Sequence, residues 1–136
     1  MYPEYLVAPM RQELVNAGFQ DLRTPEEVDQ AIKSEGTVLV MVNSVCGCAA
    51  ANARPAAKMS TEFEKHPDKF VTVFAGMEKE AVDKARAHML PFPPSSPAIA
   101  LFKDGKLVHM IERHQIEGRP AQMIADNLNQ AFDQHC

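Results

Sequence analysis

Thr37-Val38-Leu39-Val40-Met41-Val42-Asn43, followed at once by Ser44-Val45-Cys46-Gly47-Cys48-Ala49, is the stretch on which the fold turns. Residues 38–42 are apolar without a break and mostly β-branched, with Gly36 in front and Asn43-Ser44 behind. A strand solvated on one face alternates polar and apolar residues. A strand buried on both faces does not, and a short continuous run between turn formers is its signature. Two cysteines then stand at the far end of that strand, and residues 49–64 beyond them are rich in alanine and other helix formers. Pro55 kinks this helix or marks where its regular part begins.

Downstream, residues 70–75 form a second apolar strand, and residues 78–88 a short amphipathic helix with Ala81, Val82 and Ala85 inward. A proline-dense segment, Pro91-Phe92-Pro93-Pro94-Ser95-Ser96-Pro97, leads into the strand at residues 98–102. Lys103-Asp104-Gly105-Lys106 is a two-residue hairpin turn of the Asp-Gly kind, and residues 107–111 return from it. Pro120 opens a last helix with Met123, Ile124, Leu128, Ala131 and Phe132 on one face. Upstream, Thr24 is an N-cap, with Pro25 at the first helical position and Glu27 completing a capping box. That helix turns Val28, Ala31 and Ile32 inward and ends at Gly36, and residues 19–23 before it read as a short edge strand. Leu6, Val7, Met10, Leu14 and Val15 recur at helical spacing until Gly18. The order is a helix, then β-α-β-α-β-α-β-β-α. It predicts one α/β domain over residues 1–136: a mixed central sheet of four to five strands flanked by helices, with residues 1–18 as an extra N-terminal helix.

Composition supports a single ordinary core: 136 residues, 46% hydrophobic and 24% charged. The formal charge of −4, with no clustered basic run, argues against nucleic acid as a partner. The N-terminus carries no signal-peptide pattern. The longest apolar run is far short of the ~20 residues a bilayer demands, so no membrane partner and a cytoplasmic location are expected. Three cysteines are a poor disulfide scaffold in a reducing compartment, where such residues are more often catalytic or metal-binding.

The strand-to-helix junction is where α/β sheets place their sites. A sulfur there meets unpaired backbone N–H groups and the positive end of a helix dipole, both favouring thiolate over thiol. Cys46 is therefore the candidate nucleophile and Cys48 the candidate resolving thiol, with Gly47 giving the backbone freedom for the sulfurs to meet. A ring closed over one intervening residue is strained, which predicts a readily reduced pair acting as an oxidant or isomerase when oxidised. Two other readings stay open: structural buried cysteines, or a soft-metal site for Zn²⁺ or Cu⁺. Folding would have to complete that site with His114, His135 or Cys136. Ser96-Pro97, just before a strand, is a candidate cis bond whose preceding backbone could pair with an extended substrate. Asn43, Ser44, Arg113, His114 and Cys136 are accessory candidates. Met10, Met41 and Met123 sit at core spacings and read as packing rather than copper ligands.

From residue 19 to 132 the layout resembles thioredoxin, although Ser44-Val45-Cys46-Gly47-Cys48-Ala49 lacks the Trp, the Pro and one position of the Trp-Cys-Gly-Pro-Cys motif. A closer resemblance spans nearly the whole chain. Met1-Tyr2-Pro3, Asn43-Ser44-Val45-Cys46-Gly47-Cys48-Ala49, Pro93-Pro94-Ser95-Ser96-Pro97, Arg113-His114-Gln115-Ile116-Glu117-Gly118 and His135-Cys136 look like the bacilliredoxin family. That resemblance implies a thiol–disulfide oxidoreductase that removes bacillithiol from S-bacillithiolated proteins, with isomerase or reductase activity besides. It implies Cys46 attacking the mixed disulfide and Cys48 or free bacillithiol resolving it. Its partners would be S-thiolated or disulfide-containing proteins and a low-molecular-weight thiol. Bacillithiol would be a co-substrate, and no cofactor would be bound.

Overall fold

The computed structural model describes residues 1–136 in full. Six α-helices, α1 (Glu4–Asn16), α2 (Pro25–Lys33), α3 (Arg54–Ser60), α4 (Lys79–Ala87), α5 (Arg113–Ile116) and α6 (Ala121–His135), surround five strands. The strands are β1 (Gln20–Asp21), β2 (Thr37–Asn43), β3 (Lys69–Phe74), β4 (Ala98–Lys103) and β5 (Lys106–Ile111), in the spatial order β1-β3-β2-β4-β5. β1, β3 and β2 are mutually parallel, whereas β4 runs antiparallel to β2 and to β5. The sheet is thus mixed, as the element order predicts.

β2 is the central strand, and all seven of its residues are buried. Its pleat sends Val38, Val40 and Val42 into a core shared with α2 and α4, while Leu39 and Met41 enter a second core with α3 and α6. Two apolar layers on one strand are the physical reason its sequence does not alternate. The hairpin from β4 to β5 turns on Asp104 and Gly105, both with positive φ, as the Asp-Gly pair requires. Thr24 and Glu27 make the reciprocal capping box at the start of α2.

Three details differ from the sequence reading. In α1 the buried residues are Val7, Arg11 and Leu14, while Leu6 and Val15 face outward. Arg11 lies on the stripe between Val7 and Leu14, and burial is open to it because Glu4, Asp21 and Glu78 surround its guanidinium. Met123 is half exposed; the buried face of α6 is Ile124, Ala125, Leu128, Ala131 and Phe132. The short helix α5 was not foreseen. Its four residues carry no apolar period, and only the Glu112–Gln115 capping box marks it.

Candidate active site

β2 delivers the chain to Asn43 and Ser44, both buried, and the chain then rises to half-buried Cys46, exposed Gly47 and half-buried Cys48. The carbonyl of Cys46 accepts from Ala49 N–H (3.1 Å) and Ala50 N–H (3.2 Å). Cys46 therefore stands at the capping position of the helical run that starts at Gly47, where a side chain meets the unpaired donors of the first turn. Its own N–H is already engaged by Ser44 Oγ at 3.2 Å. The donors left to stabilise a sulfur anion are the amides of Gly47 and Cys48.

Cys46 and Cys48 are joined as a disulfide, with their Cα atoms 5.4 Å apart. That separation falls inside the ordinary disulfide range, so the two sulfurs meet across a single residue. Gly47 does not serve this in the expected way. It does not adopt positive φ, and a Cβ built on it would meet nothing within 4 Å. It leaves open space over the dithiol instead.

Beyond the pair, Ala49–Ala53 form a π-helical turn before α3 begins, with Pro55 in its first turn. Proline cannot donate to the carbonyl four residues back, and the wider turn, in which Arg54 N–H reaches Ala49 O, takes up that mismatch. Pro55 marks where the regular helix starts.

The register Val42↔Ala98 places Pro97 and Ser96 immediately beyond β4, beside the chain that leads to Cys46. The Ser96–Pro97 peptide is cis. The register Ile99↔Ile111 brings the start of α5 to the same rim, where Arg113 Nη1 donates to Ser96 O at 3.2 Å and Arg113 N–H to Ser95 Oγ at 3.4 Å. Arg113 also donates to Glu117 (2.9 Å). His114 is exposed and has no hydrogen-bond partner.

Cys136 lies elsewhere. Its thiol lies beside Thr37, Asp68 and Lys103, all at the end of the sheet where β2 begins. Across the seven residues of β2 that is roughly 20 Å from the dithiol, at ~3.3 Å per residue. His135 precedes it in α6 and shares that distance. No three His, Cys, Asp or Glu side chains converge with metal-holding geometry, so the soft-metal reading finds no completed ligand set. The largest cavity, about 390 Å³, is lined by Met77, Lys79 and Arg86 among others and by neither cysteine of the dithiol.

One participant escaped the sequence reading. Arg54 is only 3% exposed, and its Nη1 donates to Asn43 Oδ1 (3.0 Å) and to Ser44 O (2.8 Å). Its Nε donates to Glu13 on α1 (3.0 Å), whose other oxygen takes Lys58 Nζ (3.0 Å). Burial alone would raise the Glu13 carboxyl. The Lys58 hydrogen bond and the charges of Arg54 and Lys58 outweigh it and hold that carboxyl below the usual range. The only sequence signal was an arginine set among Ala49-Ala50-Ala51, Ala53 and Ala56-Ala57 on a helix that must pack closely.

Comparison with known proteins accords with this geometry. The disulphide isomerase family model matches residues 2–136. A bacilliredoxin of Cytophaga hutchinsonii is 60% identical over 134 residues, covering 98% of this chain and 99% of that protein. One from Halalkalibacterium halodurans is 54% identical over 136 residues, covering 99% and 94%. Among solved structures, thioredoxin from Trypanosoma brucei brucei aligns at a TM-score of 0.60 with 20% identity, over 86% of this chain and 93% of that one. A thioredoxin variant from Halobacterium salinarum aligns at 0.61 with 18% identity, over 88% and 91%. At such identities the structures speak for the fold, whereas the sequence relatives speak for the family. With a joined Cys46–Cys48 pair at a strand-to-helix junction, the chain belongs to the bacilliredoxin family and is a thiol–disulfide oxidoreductase of thioredoxin fold.

Proposed function

We propose that the protein resolves mixed disulfides between protein cysteines and a low-molecular-weight thiol, with bacillithiol as that thiol. The observation that carries the reading is Cys46 capping a helix start with Cys48 within disulfide reach. Amide donors and the helix dipole stabilise the Cys46 thiolate, the form that attacks sulfur. It attacks the low-molecular-weight sulfur of the mixed disulfide. A new S–S bond forms on Cys46, and the protein cysteine leaves as thiolate and takes up a proton. The Cys48 thiolate then attacks Cys46 Sγ, expels the small thiol and leaves the Cys46–Cys48 disulfide. Two further equivalents of a small thiol return that disulfide to the dithiol and are themselves oxidised to their disulfide.

In this reading the substrate's backbone lies beside this pair. Ser96 and Pro97 precede β4 at the end where Val42 pairs with Ala98, so an extended segment could pair along Ser96 beside the chain that leads to Cys46, and no neighbour crowds Gly47. Arg113 occupies the Ser96 carbonyl and must share or yield it, which makes its guanidinium a natural contact for an acidic group on the incoming thiol. A reducing cytoplasm is the compartment in which this chemistry turns over. No helix is long and apolar enough to cross a membrane.

The test incubates the reduced protein with one test protein capped by bacillithiol and another capped by glutathione, followed by mass spectrometry. The expected result is a bacillithiol adduct on Cys46 and faster release from the bacillithiol-capped protein. Equal release of both caps would remove bacillithiol as the preferred thiol. An adduct on Cys48 or Cys136 alone would remove Cys46 as the nucleophile.

A further inference from the structure

We infer that Arg54 is a positioning residue of the redox loop, clamping Asn43 and Ser44 from below while Glu13 anchors it to α1. The inference deepens the role proposed for Cys46 and rests on it. A guanidinium taken out of water is costly unless its donors and its charge are met. Here Nε meets the Glu13 carboxylate, and Nη1 meets both the Asn43 amide oxygen and the Ser44 carbonyl. The chain of contacts continues to the nucleophile. Asn43 Oδ1 also accepts from Ser44 N–H (2.9 Å), and Ser44 Oγ accepts from Cys46 N–H (3.2 Å). On the other side, Asn43 Nδ2 donates to Met10 O on α1 at 3.2 Å. Every step from α1 to the Cys46 amide is a hydrogen bond. The N-terminal helix is thereby part of the apparatus that sets Cys46 at its capping place.

The same clamp biases the charge behind the loop. Around the dithiol, α1 contributes Glu13 and α3 contributes Arg54 and Lys58. The start of α5 contributes Arg113, paired with Glu117. On the Val45 side, Arg11 lies over Phe74 and is matched by Glu4, Asp21 and Glu78. The exposed His114 stands at the α5 rim, and Asn52, inside the π-helical turn, donates to the Arg119 carbonyl. In the α1–α3 cluster two cations face one carboxylate, an excess of positive charge that favours an anion on the loop. Lysine cannot reproduce the clamp, because a single ammonium lacks the planar fork that reaches a carboxylate on one edge and two oxygens on another.

The test measures the pH profile of Cys46 alkylation in the reduced full-length protein and in Arg54→Gln, Arg54→Lys and Glu13→Gln, with adducts assigned by peptide mapping. Arg54→Gln is expected to move the midpoint upward by about one pH unit and to slow alkylation about tenfold at pH values well below both midpoints. Glu13→Gln removes the neutralising charge while leaving the bonds to Asn43 and Ser44, and should move the midpoint downward. Arg54→Lys keeps the charge and loses the fork, and should recover part of the loss. A purely structural ion pair would lower the melting temperature in all three and leave the profiles superimposed, and that result overturns the inference. If Arg54→Gln fails to fold, an unshifted Glu13→Gln profile overturns it equally. A wild-type Cys46 profile like that of a free thiol would instead mark the failure of the reading of Cys46 on which the inference rests.

Discussion

The two ends of β2 carry cysteines in opposite settings. At one end Cys46 caps the start of a helical run, its loop held from behind by a buried guanidinium. At the other end Cys136 closes α6, with its N–H bonded to Phe132 O at 2.8 Å. A helix C-terminus presents carbonyls and the negative end of the dipole, so it disfavours a thiolate. Although Cys136 is exposed as a residue, partial burial of its thiol pushes the pKa up. The Asp68 charge adds to that, against the opposing effects of the Thr37 hydroxyl and the Lys103 charge. Chemically identical side chains about one strand apart are thus prepared for different lives. On Cys136, burial and the Asp68 charge act in the same direction as its place at a helix C-terminus.

The largest effect that could break this contrast is on turnover. Replacing Cys46 by serine should abolish attack on a mixed disulfide, and Cys48→Ser should accumulate the Cys46 adduct in mass spectra. Cys136→Ser should keep turnover within about twofold of wild type, as expected of a thiol that does not react as thiolate. Loss of turnover in Cys136→Ser would bring the two ends into one mechanism and end the comparison.

Alkylation of the two thiols by a neutral reagent sharpens it. Cys46 should react as thiolate at and below pH 7. At pH values below both pKa values Cys136 should lag by about tenfold for each unit separating them, and it should accelerate only above the usual cysteine range near ~8.5. Superimposed pH profiles would count against the helix-end argument.

Stability should separate the ends in the reverse sense. Asp68 accepts from Thr37 N–H (2.9 Å) and Oγ1 (3.3 Å), tying the start of β3 to the start of β2. Asp68→Ala should cost about 1–3 kcal/mol in denaturant unfolding, the scale of a buried donor left unpaired. It should leave the Cys46 alkylation rate unchanged. Gly36 belongs to the same corner, since a Cβ there would collide with the Asp68 carboxylate.

The smallest effect lies in acid. Glu13 is held below the usual carboxylate range in the folded state, so its ionisation stabilises the fold at any pH above the ordinary carboxylate value. That contribution is lost as pH falls from the ordinary carboxylate value through the depressed folded one. Melting temperatures followed from pH 6 to pH 3 should drop less steeply in Glu13→Gln than in wild type. Parallel curves would show that the carboxylate contributes nothing to the clamp.

How much of this was legible in the chain depends on the range of the physics. The capping box at Thr24 and Glu27 spans three residues, and the Asp104-Gly105 turn spans two. The double-sided burial of β2 is written in its unbroken apolar run. Each of these is local or periodic, and each stands in the structure as the sequence implies. Cys46 and Cys48 were likewise visible as a pair at a strand end. Arg54 was not, because its partners lie 10, 11 and 41 residues away in the chain. Arg11 escaped for the same reason, its mate Glu78 being 67 residues distant. Leu6 and Val15 misled because an apolar residue at helical spacing costs little when left exposed.

The sequence by itself determined the order of elements, the two-sided central strand and the presence of a dithiol where that strand gives way to a helix. These follow from backbone propensity and hydrophobic period, which act over a few residues. Tertiary structure alone decided that Cys136 and the dithiol occupy opposite ends of the sheet, that Arg113 reaches the Ser96 carbonyl, and that α1 supports the redox loop through Arg54. Charge and hydrogen-bond pairing between distant segments carry no period in the chain. They come into being only when packing brings the partners within about 3 Å of each other.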